Sequence, residues 1–165
     1  MIRAVAGIIG LLVAAMVAAQ AVGVAYALRR KRDIGEAPDP DPASDEIELT
    51  CIFDALQFAS TAPAFRGGSL TCLFGGGVLD LRGATLAPGG ATLRVEAFSG
   101  GAQILVPEGW RVETKVIGVG GVGDARPQDD LRTNAPVLRI EGHVVFGGFG
   151  IASEAPASRE MQPMA

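Results

Sequence analysis

At 165 residues, 48% of them apolar, with a formal net charge of −4, the chain has room for one small domain beside a separate apolar segment. Basic residues are dispersed through the domain without interleaved aromatics, which argues against a nucleic-acid partner, and two Cys with one His make no metal-ligand spacing. Seven Phe, one Trp and one Tyr leave the core to Val, Leu, Ile and Ala, and 23 glycines suit thin, layered folding.

Residues 4–28 carry no charge, and Gln20 is their one strong polar interruption. As a helix they would extend roughly 37 Å against a hydrocarbon core of about 30 Å, so a transmembrane helix is predicted there. Ala25-Tyr26-Ala27 offers a signal-peptidase match. However, the apolar run exceeds the ~7–15 residues usual for a cleaved signal, and Arg29, Arg30, Lys31 and Arg32 follow at once, so an uncleaved anchor is expected. The N-terminal flank has only Arg3 and the amino group, so the positive-inside rule predicts a single-pass protein with its soluble domain in the cytoplasm. Residues 29–46 then form a basic flank and linker in which Pro38, Asp39, Pro40, Asp41 and Pro42 favour an extended, self-repelling spacer. The tail, 152–165, lacks periodicity and is expected to be disordered.

Between these, residues 47–151 read as strands with a repeat. Leu49-Thr50-Cys51-Ile52-Phe53 returns as Leu70-Thr71-Cys72-Leu73-Phe74, and looser copies begin at Ser99, Val119 and Phe146, each followed by Gly-Gly. The starting positions 53, 74, 99, 119 and 146 are spaced by 21, 25, 20 and 27 residues, a period typical of stacked units. Parity puts Leu93, Val95 and Ala97 inside and Arg94 and Glu96 outside. It likewise puts Leu138, Ile140, Val144 and Phe146 inside and Arg139, Glu141 and His143 outside. The parity of Val112 disagrees with that of Val119, which predicts a bulge or bend near Ile117 or Gly118.

An all-β fold is therefore expected: a solenoid-like single-stranded β-helix of about five coils, plus the N-terminal transmembrane helix. Stacked in chain order, Leu49, Leu70, Val95, Val112 and Ile140, or near neighbours, would line one wall. The glycines would sit at a corner that needs φ > 0 or close backbone approach.

No reactive constellation emerges. Gly118-Val119-Gly120-Gly121-Val122-Gly123 fits a dinucleotide-binding pattern, but no helix start follows it, so no cofactor is expected. Cys51 and Cys72 share the face of Leu49, Phe53, Leu70 and Phe74, the predicted core. In-register stacking would bring them within disulfide range, though a cytoplasmic domain keeps thiols reduced. His143 reads as a surface residue. The chain is read as non-catalytic, and the longest polar insertion, 123–136, with Asp124, Arg126, Asp129, Asp130 and Arg132, is the candidate partner-binding loop.

Several words carry a family likeness. Phe74-Gly75-Gly76, Leu79-Asp80-Leu81-Arg82-Gly83-Ala84, the run from Ser99-Gly100-Gly101-Ala102-Gln103-Ile104 through Val106-Pro107-Glu108-Gly109-Trp110-Arg111-Val112, and Phe146-Gly147-Gly148 resemble the C-terminal domain of the LiaF-like family. These are bacterial "cell wall-active antibiotics response" membrane proteins. The resemblance implies a β-rich domain over about 50–151 that regulates envelope-stress signalling through a membrane histidine kinase at the bacterial inner membrane. Family members commonly have several membrane helices where this chain has one, and Ser99 stands where they often have Phe. No catalytic residue is implied. The expected partners are the bilayer, a sensor kinase or another envelope protein, and the chain itself. The competing expectation is a bactofilin-like scaffold that polymerises through exposed terminal coils.

Overall fold

The computed structural model describes residues 2–34, 40–125 and 136–153. One helix, α1 (Ile2–Ile34), precedes eight strands: β1 (Glu46–Ile52), β2 (Ala55–Ala59), β3 (Gly67–Leu73), β4 (Gly76–Asp80), β5 (Ala91–Phe98), β6 (Gly101–Leu105), β7 (Arg111–Asp124) and β8 (Val137–Ala152). All pairings between these strands are parallel, and together they build a solenoid-like sheet. α1 is long and apolar enough over Gly7–Asp33 to cross a membrane.

Two walls meet at a corner. On the first, β1, β3, β5, the first half of β8 and the first half of β7 lie side by side. On the second, β2, β4, β6 and the second halves of β8 and β7 do the same. An irregular third side closes the rows through bonds such as Thr61 N–H to the Pro42 carbonyl and Thr85 N–H to the Ala62 carbonyl. Inward side chains form apolar ladders because parallel strands in register place like positions over one another. Leu56, Gly77, Ala102, Phe149 and Val122 form one such ladder. Phe65, Leu70, Leu79, Leu93, Ile104 and Ile140 lie at the centre of the core, with no exposed surface.

The rows do not follow chain order. β8, the last strand, lies between β5 and β7, so the chain passes from β6 to the outermost row and returns to fill the gap. Leu49, Leu70 and Val95 do lie over one another, but the next two positions are Gly142 and Val116. Ile140 faces Leu93 and Thr114, and Val112 faces Leu138. Side-chain volume explains the exchange. β8 turns Leu138, Ile140, Val144, Phe149 and Ile151 inward, all buried, whereas β7 offers Val112, Thr114, Val116, Gly118 and Val122. The inner slot, covered on both sides, goes to the strand with more apolar surface to hide.

Four of the five repeat starts are the corner itself. Phe53, Phe74, Ser99 and Phe146 have φ of 54°, 53°, 48° and 56°, a left-handed conformation that bulky side chains rarely adopt. The turn preserves the ladder: the N–H groups of Phe53, Phe74 and Ser99 donate to the carbonyls of Leu73, Phe98 and Val145 in the next row. Residue 119 differs, because β7 slips by one residue against β8 between Val119 and Gly120, skipping Phe146. The irregularity expected near Ile117 or Gly118 thus falls just beyond them.

The corner glycines serve close approach. A Cβ at Gly75 would strike the Asp54 carbonyl, one at Gly100 the Gly75 carbonyl, and one at Gly147 the Gly100 carbonyl. Asp54 occupies this position in the first row, which has no strand beneath it among the described residues. That is why the first copy of the repeat can dispense with glycine.

Candidate interaction surface

The left-handed corner reverses the parity rule. Phe53, Phe74 and Phe146 project from the stack, and the expectation that they belong to the core is corrected: Phe53 and Phe146 are each 42% exposed. With Phe98 they form a continuous row. Phe53 stacks on Phe74 with ring centres 5.1 Å apart, Phe74 meets Phe98 edge-on at 5.3 Å, and Phe98 meets Phe146 edge-on at 6.4 Å. The legible signal was Phe at the first place of three repeat copies, directly before Gly-Gly at 74 and 146 and before Asp54 at 53.

One stripe of α1 lies along this row. Gln20, Gly23, Ala27 and Lys31 recur at three- and four-residue spacing and so share a helix face. Ala27 is fully buried with Ile52 and Leu73, against Phe74 and Phe98. Gly23 leaves no room for a Cβ beside the Phe98 ring. Ser99 Oγ lies 3.0 Å from Gln20 Oε1 and donates to it, while Lys31 Nζ donates to the Ile52 carbonyl at 3.2 Å.

The outer face of the first wall is charged. Glu48, Ser69, Arg94, Glu141 and Lys115 align across the strands. Glu113 receives Arg111 at 3.0 Å and Arg139 at 3.6 Å. His143 is exposed, in register between Glu96 and Ile117. On the second wall Arg82 pairs with Asp80 at 2.6 Å, and that bond holds the Asp80 carboxyl below its ordinary range. At the outer edge, β7 leaves Ile117 and Val119 exposed.

Of the predicted loop, Asp124 ends β7, exposed and opposite Ile151. Arg126, Asp129, Asp130 and Arg132 lie outside the described residues. The glycine motif at 118–123 runs as extended strand within β7. Among the described residues no three His, Cys, Asp or Glu side chains gather to hold a metal ion.

Cys51 and Cys72 are in-register neighbours, buried and unbridged. Burial pushes the Cys72 thiol up to about 12, with Cys51 adding to the effect. Burial also raises Cys51, against a hydrogen bond from its thiol to the Asp54 carbonyl at 2.7 Å. Both shifts favour the neutral thiol in the folded state. Their stabilisation is therefore full below the unfolded thiol pKa of about 8.5 and drains away as pH rises toward the folded values. Denaturation midpoints are expected to fall between pH 8 and pH 11, and Cys72→Ala is expected to flatten that slope. A wild-type midpoint independent of pH across this window would contradict the burial.

No protein family, curated protein or solved structure matches the chain. The likeness to LiaF-like proteins rests on the shared words alone.

Proposed function

We propose that this chain is a single-pass protein of the bacterial inner membrane whose β stack binds another protein and does no chemistry. The stack is read as a single-stranded β-helix of five coils, three made of one strand on either wall and two of a single strand, β7 or β8, that spans both. The observation that carries the proposal is the union of one membrane-length apolar helix with a rigid parallel stack that turns a charged wall outward. Arg29, Arg30, Lys31 and Arg32 favour a cytoplasmic domain. Anchoring raises the effective concentration of the stack near other membrane proteins, so modest contacts suffice. The LiaF-like words make a membrane histidine kinase of an envelope-stress system the preferred partner.

The test is photo-crosslinking in living cells from a reactive residue at position 124, beside the polar segment of Arg126, Asp129, Asp130 and Arg132. Capture of a sensor kinase supports regulation, and repeated capture of nothing but lipid removes it. A second reading, a bactofilin-like scaffold, is favoured by the two open edges, since β1 and β7 each pair on one side only among the described residues. Filaments of the detergent-extracted full chain under the electron microscope would select it.

A further inference from the structure

We infer that the aromatic row at the corner is a second membrane contact, one that seats the β stack on the bilayer interface once α1 has inserted. The inference rests on the reading of α1 as a membrane anchor.

The first argument is competition for α1. The row clasps the helix from Gln20 onward, and the apolar run ends at residue 28. With that part withheld, residues 4–19 offer about 24 Å of helix against a hydrocarbon core of about 30 Å. The clasp also covers one face only: Val22 remains 71% exposed and Tyr26 60%. A bilayer covers the whole circumference, at about 25 cal/mol for each Å² removed from water, so it takes the helix from the row. Insertion then uncovers Ile52, Leu73, Phe74 and Phe98, which join the half-exposed Phe53 and Phe146 in one strip about 14 Å long at the strand spacing.

The second argument is strain. Holding Phe at φ near +55° at three corners costs about 1–2 kcal/mol each, a conformation in which Gly or Asn sits more easily. Two of the side chains so held, Phe53 and Phe146, lie at the ends of the row, half in solvent, and contribute little to the core, while Phe74 packs beside Ala27 of α1. The turn itself sets this conformation, which Ser99 shares; the choice of Phe at three of the four corners is what a contact outside the stack explains.

The third argument is reach. Residues 35–45 join α1 to β1, and 11 residues extend to at most about 40 Å, so the strip stays close to the surface that holds the helix. Aromatic and aliphatic side chains presented beside a basic cluster suit the boundary between headgroups and acyl chains. A second copy or another protein covering the strip is the competing outcome.

The experiment uses the full chain in phosphatidylcholine–phosphatidylglycerol vesicles, with a nitroxide on Phe146→Cys and, separately, on Phe53→Cys. The buried native thiols stay unlabelled, and their modification after unfolding verifies this. A third label, Gly89→Cys, marks open space beside the far end of β5. Both row labels are expected to gain several-fold in accessibility to oxygen relative to a water-soluble nickel chelate, and the Gly89 label to remain water-like. Row labels that match Gly89, or that are shielded from both reagents as under a protein cover, would overturn the inference. Alkaline extraction scores helix insertion independently, so protein retained in the membrane with water-exposed row labels sinks the seat and spares the anchor.

Discussion

A chain ending after Ala125 is expected to lose cooperative folding altogether. Its missing segment contains β8, which among the described residues is the sole sheet neighbour of β7 and the outer neighbour of both β5 and β6. Leu138, Ile140, Phe149 and Ile151 leave with it, all buried in the core. At roughly 1.5–3 kcal/mol for each fully buried side chain, these four alone approach the 5–15 kcal/mol that stabilises a typical domain. Loss of the thermal transition, followed by circular dichroism, is the anticipated result. A cooperative transition retained after this truncation would show that the remaining rows stack without β8 and its buried side chains.

Gly142→Ala is expected to be the most damaging single methyl in the stack. Gly142 sits mid-strand in β8 at φ +154°, between Val95 and Val116, and a Cβ there would overlap the Val95 carbonyl oxygen. Neither neighbour can yield, because both are backbone-paired within the sheet. Destabilisation of about 3–5 kcal/mol follows, in the range reserved for overpacked cores and strained backbone. At about 4–8 °C per kcal/mol for a domain of this size, the melting temperature should fall by 10 °C or more. Gly89→Ala, with nothing within 4 Å of the added atom, is the internal comparison and should stay within about 0.5 kcal/mol. Equal effects at the two sites would refute the register of β8 against β5.

Much of the fold was legible because its signals are local. Alternation in β5 separates buried Leu93, Val95 and Ala97 from exposed Arg94 and Glu96 within one strand, so parity needs no knowledge of neighbours. Burial of Cys51 and Cys72 followed from the same rule. Parity failed where the backbone left the extended region: at Phe53, Phe74 and Phe146 a single left-handed residue turns the side chain out of the core. For that reason the aromatic row stayed hidden although its Phe residues were in plain view.

By itself the sequence determined one membrane-length helix, strands with a buried face, and the positions of four corners, because hydropathy, period 2 and the glycine words depend on residues close in the chain. Tertiary structure decided the order of the rows, the outward turn of the aromatic corner and the role of each corner glycine. Those depend on competition between strands far apart in sequence. β7 and β8 both fit beside β5 by pattern, and the larger inward side chains of β8 take the covered slot.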